Sequence, residues 1–278
     1  MEYKIIVDSC CELPENLKKD ERFERIPLGL EVGDYHILDD ENFDQHRFLQ
    51  EVAATPKCPR SSCPSPERFA KACQGEAKRI YMVTLSSRLS GSHNSAVLGR
   101  ELFLEEGTFK QIHVIDSKSA SCGETQIALK LMELEEKGYS FEEIVKRIEV
   151  FRDELHTYFV LDNLETLRKN GRLSGVKALV ASTLSIKPVM GSEDGNIVEK
   201  AKTIGMKKAL SRMAFLVAEE VQNPEEKCLM ITHCNAPERA EKVKEMILEK
   251  TSFRDVLIMD TAGISSMYAA DGGIIVVV

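Results

Sequence analysis

The feature that most constrains this chain is a recurring order of short apolar run, polar stop and helical pattern. Lys4–Val7 stops at Asp8-Ser9, Arg79–Leu85 at Ser86-Ser87, and Gln111–Ile115 at Asp116-Ser117. Ile26–Val32 reads as one further strand. Helical spacing follows over Phe43–Ala53 and over Pro66–Cys73, with Ser65 as N-cap and Pro66 at the first helical position, where a missing N–H costs least. It returns over Ser92–Glu106, Gly123–Lys137 and Ser140–Leu155, the last opened by the capping-box pair Ser140 and Glu143. Continuous apolar strands alternating with helices predict an α/β fold with a mostly parallel, doubly wound sheet.

The pattern changes after His156. Thr157–Leu161 reads as a strand and Asn163–Lys169 as a short helix stopped by Asn170-Gly171, with a further segment over 176–184 after it. Ile186–Met190 and Asn196–Lys202 flank Glu193-Asp194-Gly195, which predicts a hairpin. A long helix over Met206–Gln222 follows. A strand–helix–strand unit (Lys227–Thr232, Pro237–Lys250, Val256–Asp260) and a closing strand, Ile274–Val278, complete the pattern. The expectation is two domains, an N-terminal α/β domain over 1–156 and a C-terminal α+β domain over 157–278.

Composition narrows the function. With 278 residues, 43% hydrophobic and 29% charged, the chain has the profile of a globular protein. A net charge of −8 and a pI near 5.5 argue against a nucleic-acid partner. The apolar run after Met1 is too short for a signal peptide, and no stretch is long enough for an integral membrane segment, so a cytoplasmic protein is expected. Eight cysteines without a CxxC pair read as small reduced core residues, and no metal is expected.

In open α/β sheets, ligands bind beyond the carboxyl ends of the strands. Ser9, Ser86, Ser87 and Ser117 fall there, and Arg60–Ser65 and Leu89–Ser92 are polar segments that each open a helix. Hydroxyls beside free helix N–H groups suit an anion, although each Ser alone is equally a simple cap. No GxxxxGK[ST], GxGxxG or GxSxG pattern occurs. Ser92 and His93 are adjacent and point apart on a helix, so they make no nucleophile–base pair, and His93 reads as a helix-surface residue. Asp39-Asp40-Glu41 reads as a solvated loop. An anion-terminated ligand held by hydroxyls, with no cofactor and no catalytic residue, is the reading from the residues.

The segments IIVDSCCELP, RSSCPSPERF, TLSSRLSGSHNSA, IDSKSASCG, LETLRKNGRLSG and IKPVM…GNIVEKAKTIGMKKAL together resemble, in order, the signature blocks of the DegV family. The resemblance implies two α/β domains with a long-chain fatty acid in a tunnel between them. It also implies a carrier, not an enzyme, that presents the acyl carboxylate to a separate fatty acid kinase. Residue by residue, it places carboxylate-binding hydroxyls at Ser61 and Ser90, with Ser62 and Ser92 as further ligand contacts. A basic loop for the kinase falls on Gly171-Arg172, beside Lys169, with Lys202 where the family usually has Arg. Cys63 replaces a usual Gln. A usual C-terminal His-x-Gly-Pro-Gly pattern is missing from Ala262–Tyr268, leaving Ser265 or Ser266 as substitute contacts. The competing class is an enzyme acting on a small carboxylated or phosphorylated metabolite at the same strand ends. A third reading is a regulatory module whose ligand occupancy controls a protein partner.

Overall fold

A computed structural model describes residues 1–173, 176 and 185–278, so the segment named over 176–184 lies, beyond its first residue, outside the described part. The first half contains β1 (Tyr3–Asp8), β2 (Phe23–Ile26), β3 (Gly29–Val32), β4 (Tyr35–Leu38), α1 (Gln45–Ala54), β5 (Arg60–Ser62) and α2 (Pro66–Ala72). It continues with β6 (Arg79–Thr84), α3 (Ser92–Glu105), β7 (Gln111–Asp116), α4 (Cys122–Glu136) and α5 (Phe141–Asp153). Strands β2-β1-β6-β7 form a parallel sheet in that order. Alternate residues face opposite helix layers. Ile5, Val7, Tyr81, Val83 and Ile115 pack on α4 and α5, while Ile6, Ile80, Met82 and Val114 pack on α2 and α3. A sheet buried on both faces needs continuous apolar strands, which is why these runs were legible. Gly99 lets α3 lie directly on α2, because a Cβ there would sit 2.6 Å from that of Phe69.

The single strand expected over Ile26–Val32 is two. Pro27 cannot donate a ladder hydrogen bond, so the chain leaves the parallel sheet after Ile26. It then enters a small antiparallel sheet of order β4-β3-β5. Arg60–Ser62, read from sequence as part of a helix-opening segment, is the outer strand β5 of that sheet.

The second half contains β8 (Thr157–Val160), α6 (Glu165–Lys169), β9 (Ile186–Glu193), β10 (Asn196–Ile204), α7 (Met206–Glu220) and β11 (Cys228–His233). It ends with α8 (Pro237–Leu248), β12 (Asp255–Asp260), α9 (Gly263–Ala269) and β13 (Ile274–Val277). Its mixed sheet runs β10-β9-β8-β13-β11-β12. The expected hairpin turns at Asp194 and Gly195, both at positive φ (44° and 77°), as a tight two-residue turn requires. Helices α7 and α8 cover one sheet face, with Met213, Val217, Val243 and Ile247 against Tyr158, Leu229, Ile231 and Val276. The other face, carrying Thr157, Phe159, Leu161 and Ile275, turns toward the first half.

Asp39 corrects the solvated-loop reading, because it is fully buried. Its two oxygens accept from the N–H groups of Gly263 (2.8 Å) and Ile264 (2.9 Å), and Arg25 pairs with it at 2.9 Å. This carboxylate caps a helix from the far end of the chain, satisfying donors that helix α9 cannot satisfy itself. Gly263 is needed for the approach, since a Cβ there would meet the Asp39 carboxyl carbon at 2.7 Å. His93 also departs from expectation. Its ring is half-buried, with Nδ1 3.3 Å from Thr84 Oγ1, and that burial lowers its pKa below the ordinary value.

Asp39→Asn keeps the shape but offers one acceptor in place of two and leaves Arg25 without its charge partner. Bonds to a charged group are worth about 1.5–3 kcal/mol. The expected result is a loss of about 2 kcal/mol in urea unfolding with an unchanged denaturant slope.

Candidate functional site

Between the strand ends of the first half and the uncovered face of the second sheet lies a largely apolar cavity. Its walls bound about 850 Å³ of space between atoms, part of it open to solvent. Leu28 and Leu85 come from the first half, Phe159, Leu161, Ile197 and Ile275 from the second. Ser61, Ser90, Arg172, Tyr268, Ser265 and Ser121 are among its polar lining residues, and Tyr268 neighbours both Ser61 and Arg172.

Each of these is placed by the fold. Ser61 sits on β5 opposite Leu30 of β3, and its Oγ lies 3.2 Å from the Tyr268 hydroxyl on α9. Ser90 rides on the loop between β6 and α3, where its Oγ accepts from the Ser92 N–H at 3.1 Å. That loop is fixed by Asp8 at the end of β1. Asp8 accepts from the Leu85 N–H at 3.0 Å and from the Ser92 hydroxyl at 2.6 Å. Arg172 donates through Nε to the Leu89 carbonyl at 3.1 Å and through Nη1 to the Asn170 carbonyl. Its guanidinium carbon lies 5.9 Å from the Tyr268 ring centre. Asn170 in turn donates to the Pro59 carbonyl at 3.0 Å, which ties this turn to the start of β5. The guanidinium has no carboxylate partner among the described residues, so it offers uncommitted positive charge to the cavity.

Of the nine residues singled out from sequence, four line the cavity: Ser61, Ser90, Ser265 and Arg172. Ser62 does not, its hydroxyl being packed against Gly29. Ser92 is turned inward to Asp8. Ser266 bonds Thr261 Oγ1 at 2.7 Å and accepts from Gln45 at 3.1 Å. Lys169 is half-exposed, 3.7 Å from Glu165, and Lys202 lies 3.4 Å from Glu199 on β10. The strand-end hydroxyls are structural: Ser9 accepts from the Leu28 N–H, Ser86 donates to the Gly195 carbonyl, and Ser117 to the Ser119 carbonyl. Sequence reasoning missed Tyr268. The available signal was spacing, since Ile264, Ser265, Tyr268 and Ala269 share one face of a helix and all line the cavity. Among the described residues, no group of three or more His, Cys, Asp or Glu could hold a metal ion, and no helix is long and apolar enough to cross a membrane.

Accessible thiols are few. Cys63 is exposed near the cavity mouth, 3.9 Å from Ser95 Oγ, Cys58 is half-buried, and the other six are buried. Burial pushes the Cys73 thiol up to about 12 and the Cys228 thiol up to about 11. Ellman's reagent on the native protein should therefore titrate one thiol quickly and a second slowly, with the remaining six reacting only on denaturation. Loss of the fast phase in Cys63→Ser assigns it.

Comparison with known proteins adds independent evidence. A family model described as "Uncharacterised protein, DegV family" matches residues 2–277. A DegV domain-containing protein of Streptococcus pyogenes serotype M1 is 37% identical over 280 residues, covering 99% of this chain and 98% of its own. A DegV family protein from Ruminococcus gnavus, solved with vaccenic acid, is 52% identical with a TM-score of 0.97, covering 100% of this chain and 99% of its own. A DegV family protein from Eubacterium eligens loaded with heptadecanoic acid is 29% identical with a TM-score of 0.90, covering 99% and 98%. The Fatty Acid Kinase (Fak) B3 protein of Streptococcus pneumoniae, loaded with linoleic acid, is 33% identical with a TM-score of 0.89, covering 100% and 99%.

Proposed function

This chain belongs to the DegV family, and from that membership we propose that it carries one long-chain fatty acid in the cavity and presents the carboxylate at the cavity mouth. The observation that carries the reading is the cavity itself: apolar over most of its wall, with the Ser61 and Tyr268 hydroxyls and the Arg172 guanidinium as neighbours. At about 0.8 kcal/mol per buried CH₂, an acyl chain of about sixteen carbons gains on the order of 10 kcal/mol before ordering costs. Polar groups need only fix the head.

Ser61 and Ser90 donate to the carboxylate in this reading. Tyr268 supplies the third hydroxyl, because its oxygen stands 3.2 Å from that of Ser61. That contact answers the missing His-x-Gly-Pro-Gly pattern better than Ser266, which is engaged with Thr261 and Gln45. The related B3 protein bears a fatty acid kinase name, and this supports a kinase as the partner that receives the acyl group. Lys169 and Lys202, both at the surface, are proposed to meet that partner. Arg172 lines the cavity and lies in the same turn as Lys169, so it is proposed to bridge ligand and partner. The proposed role is carriage alone.

Organic extraction of the purified protein followed by mass spectrometry should recover a long-chain fatty acid, and oleate should raise the melting temperature of delipidated protein. No lipid and no thermal shift would remove the proposal. Ser61→Ala, Ser90→Ala and Tyr268→Phe each delete one donor to a charged group, worth about 1.5–3 kcal/mol, so each should weaken oleate binding roughly tenfold to a hundredfold. Unchanged affinity in all three places the carboxylate elsewhere. Lys169→Glu should slow acyl-phosphate formation with a partner kinase while leaving the oleate titration unchanged, since exposed charges act on encounter.

A further inference from the structure

Behind the cavity wall lies a second group of ionisable side chains with no cation bonded to it. Asp8, Glu12 and Glu124 are 0%, 5% and 0% exposed. Asp8 accepts three hydrogen bonds, from the Leu85 and Cys10 N–H groups and the Ser92 hydroxyl, which suits the ionised form. Neither oxygen of Glu124 accepts a hydrogen bond from a donor, and its polar neighbours are the Asp8 carboxyl and the Cys10 thiol. Two carboxyls so placed cannot both be charged. Glu124 therefore holds the proton and Asp8 the charge, and burial drives the Glu124 pKa far above the ordinary carboxylate range.

Glu12 differs because it joins the two halves of the molecule. From the first half, the Ser121 hydroxyl donates to it at 2.7 Å, and Thr125 holds its backbone carbonyl at 2.8 Å. From the second half, it receives the Ala262 N–H at 3.1 Å and the Ser265 hydroxyl. Ser121 also bonds Thr232 Oγ1 of β11 at 2.7 Å. Both serines that serve Glu12 line the cavity, and so does Cys10. The groups facing Glu12 are almost all neutral or acidic. They are Asp8, Cys10 and Cys11 on its own segment, Cys122 and Glu124 on α4, and Asp39 after β4. Arg25, the nearest cation in the network, is committed to Asp39 and the Ser9 carbonyl. His233, next to Thr232 on β11, faces Asp260 at 3.4 Å.

We propose that Glu12 is a proton-operated latch between the two halves, and that an anionic amphiphile in the cavity is held more tightly when Glu12 is protonated than when it is ionised. The ligand part of this proposal rests on the fatty acid reading above. A serine hydroxyl has one proton to give. Ionised Glu12 draws those of Ser121 and Ser265 away from the cavity and sets a negative charge behind its wall. Protonated Glu12 can donate in its turn, which frees a hydroxyl for the ligand and removes the repulsion.

The midpoint falls in a useful range. Burial pushes Glu12 up to about 7, against the hydrogen bonds of Ser265, Ser121 and the Ala262 N–H, with Asp39 adding to the rise. A carboxyl whose folded pKa is raised binds more protons folded than unfolded. Its contribution to stability is therefore fully present below its unfolded value and is lost as pH rises through about 7. Binding a second anion raises the midpoint further, and each unit of that rise corresponds to about a tenfold difference in affinity.

The test compares wild type with Glu12→Gln, whose amide stands in for the neutral acid, using oleate as the probe. Wild-type affinity should weaken about fivefold between pH 6 and pH 8 if binding raises the midpoint by one unit, and that of E12Q less than about twofold. At pH 7, calorimetry in buffers of different ionisation heat should show proton uptake when wild type binds oleate. Parallel pH profiles in the two proteins, or no proton uptake, overturn the latch. If neither protein binds oleate at any pH, the fatty acid reading fails by itself. Ligand-free melting temperatures then decide the latch. That of wild type should fall relative to E12Q between pH 6 and pH 8, and parallel curves reject it. If E12Q does not fold, the wild-type calorimetry decides alone.

Discussion

The six-stranded sheet has one face that its long helices leave open, and that face must be buried against other parts of the chain, α4 and α9 among them. Helices α7 and α8 cover only the side carrying Leu229, Ile231 and Val276. Phe159, Leu161 and Ile275 on the opposite side find cover in the first half and in α9, whose residues pack with them. The two layers meet along the seam without filling it, and the unfilled part is the cavity. An apolar cavity is thus a consequence of how the second sheet is covered. Only the polar groups at its wall require special placement.

The seam itself is held mainly by neutral groups. Ser119 and Thr157 share a hydrogen bond at 2.7 Å, and Gln126 donates to the Cys228 and Val277 carbonyls at 2.8 and 3.1 Å. Ser192 donates to the Lys118 carbonyl at 2.8 Å, and Lys118 lies 2.9 Å from Asp194 on the hairpin tip. Hydroxyls and amides can be buried at modest cost when paired, whereas charges in the same seam would demand exact compensation or a shared proton. Asp39 illustrates the first solution, with two N–H donors and an arginine. Glu124, next to an ionised Asp8, illustrates the second.

How much of this was legible in the sequence depends on where each residue finds its partners. Strands β1, β6 and β7 announce themselves, because burial on two faces leaves an unbroken apolar run. Tyr35–Leu38 and Arg60–Ser62 do not, since their strand state comes from pairing with β3 and not from their own residues. Helix α9 is buried nearly all round, Gly263, Ser265 and Ser266 included, so no exposed polar face marks it in the sequence. Its first turn is completed by Asp39, 224 positions away from Gly263. Ser61 and Ser90 stood out through the resemblance to the DegV family. Tyr268 did not, because the hydroxyl it meets lies 207 positions earlier. Local signals carried the layers, and long-range contacts carried the site.

The order of strands in the second sheet has a consequence for how the molecule is made. β13, which follows every other described element in the chain, lies between β8 and β11 near the middle of the sheet. Its antiparallel partners were both laid down earlier, β8 more than a hundred positions before it. During synthesis at ~5–20 residues per second, β8 therefore waits several seconds with one edge unpaired. β13 closes the sheet when it emerges, and α9 just before it completes the cavity wall. The nascent chain has a finished first sheet and no container. The cavity is therefore enclosed only after translation has passed β13.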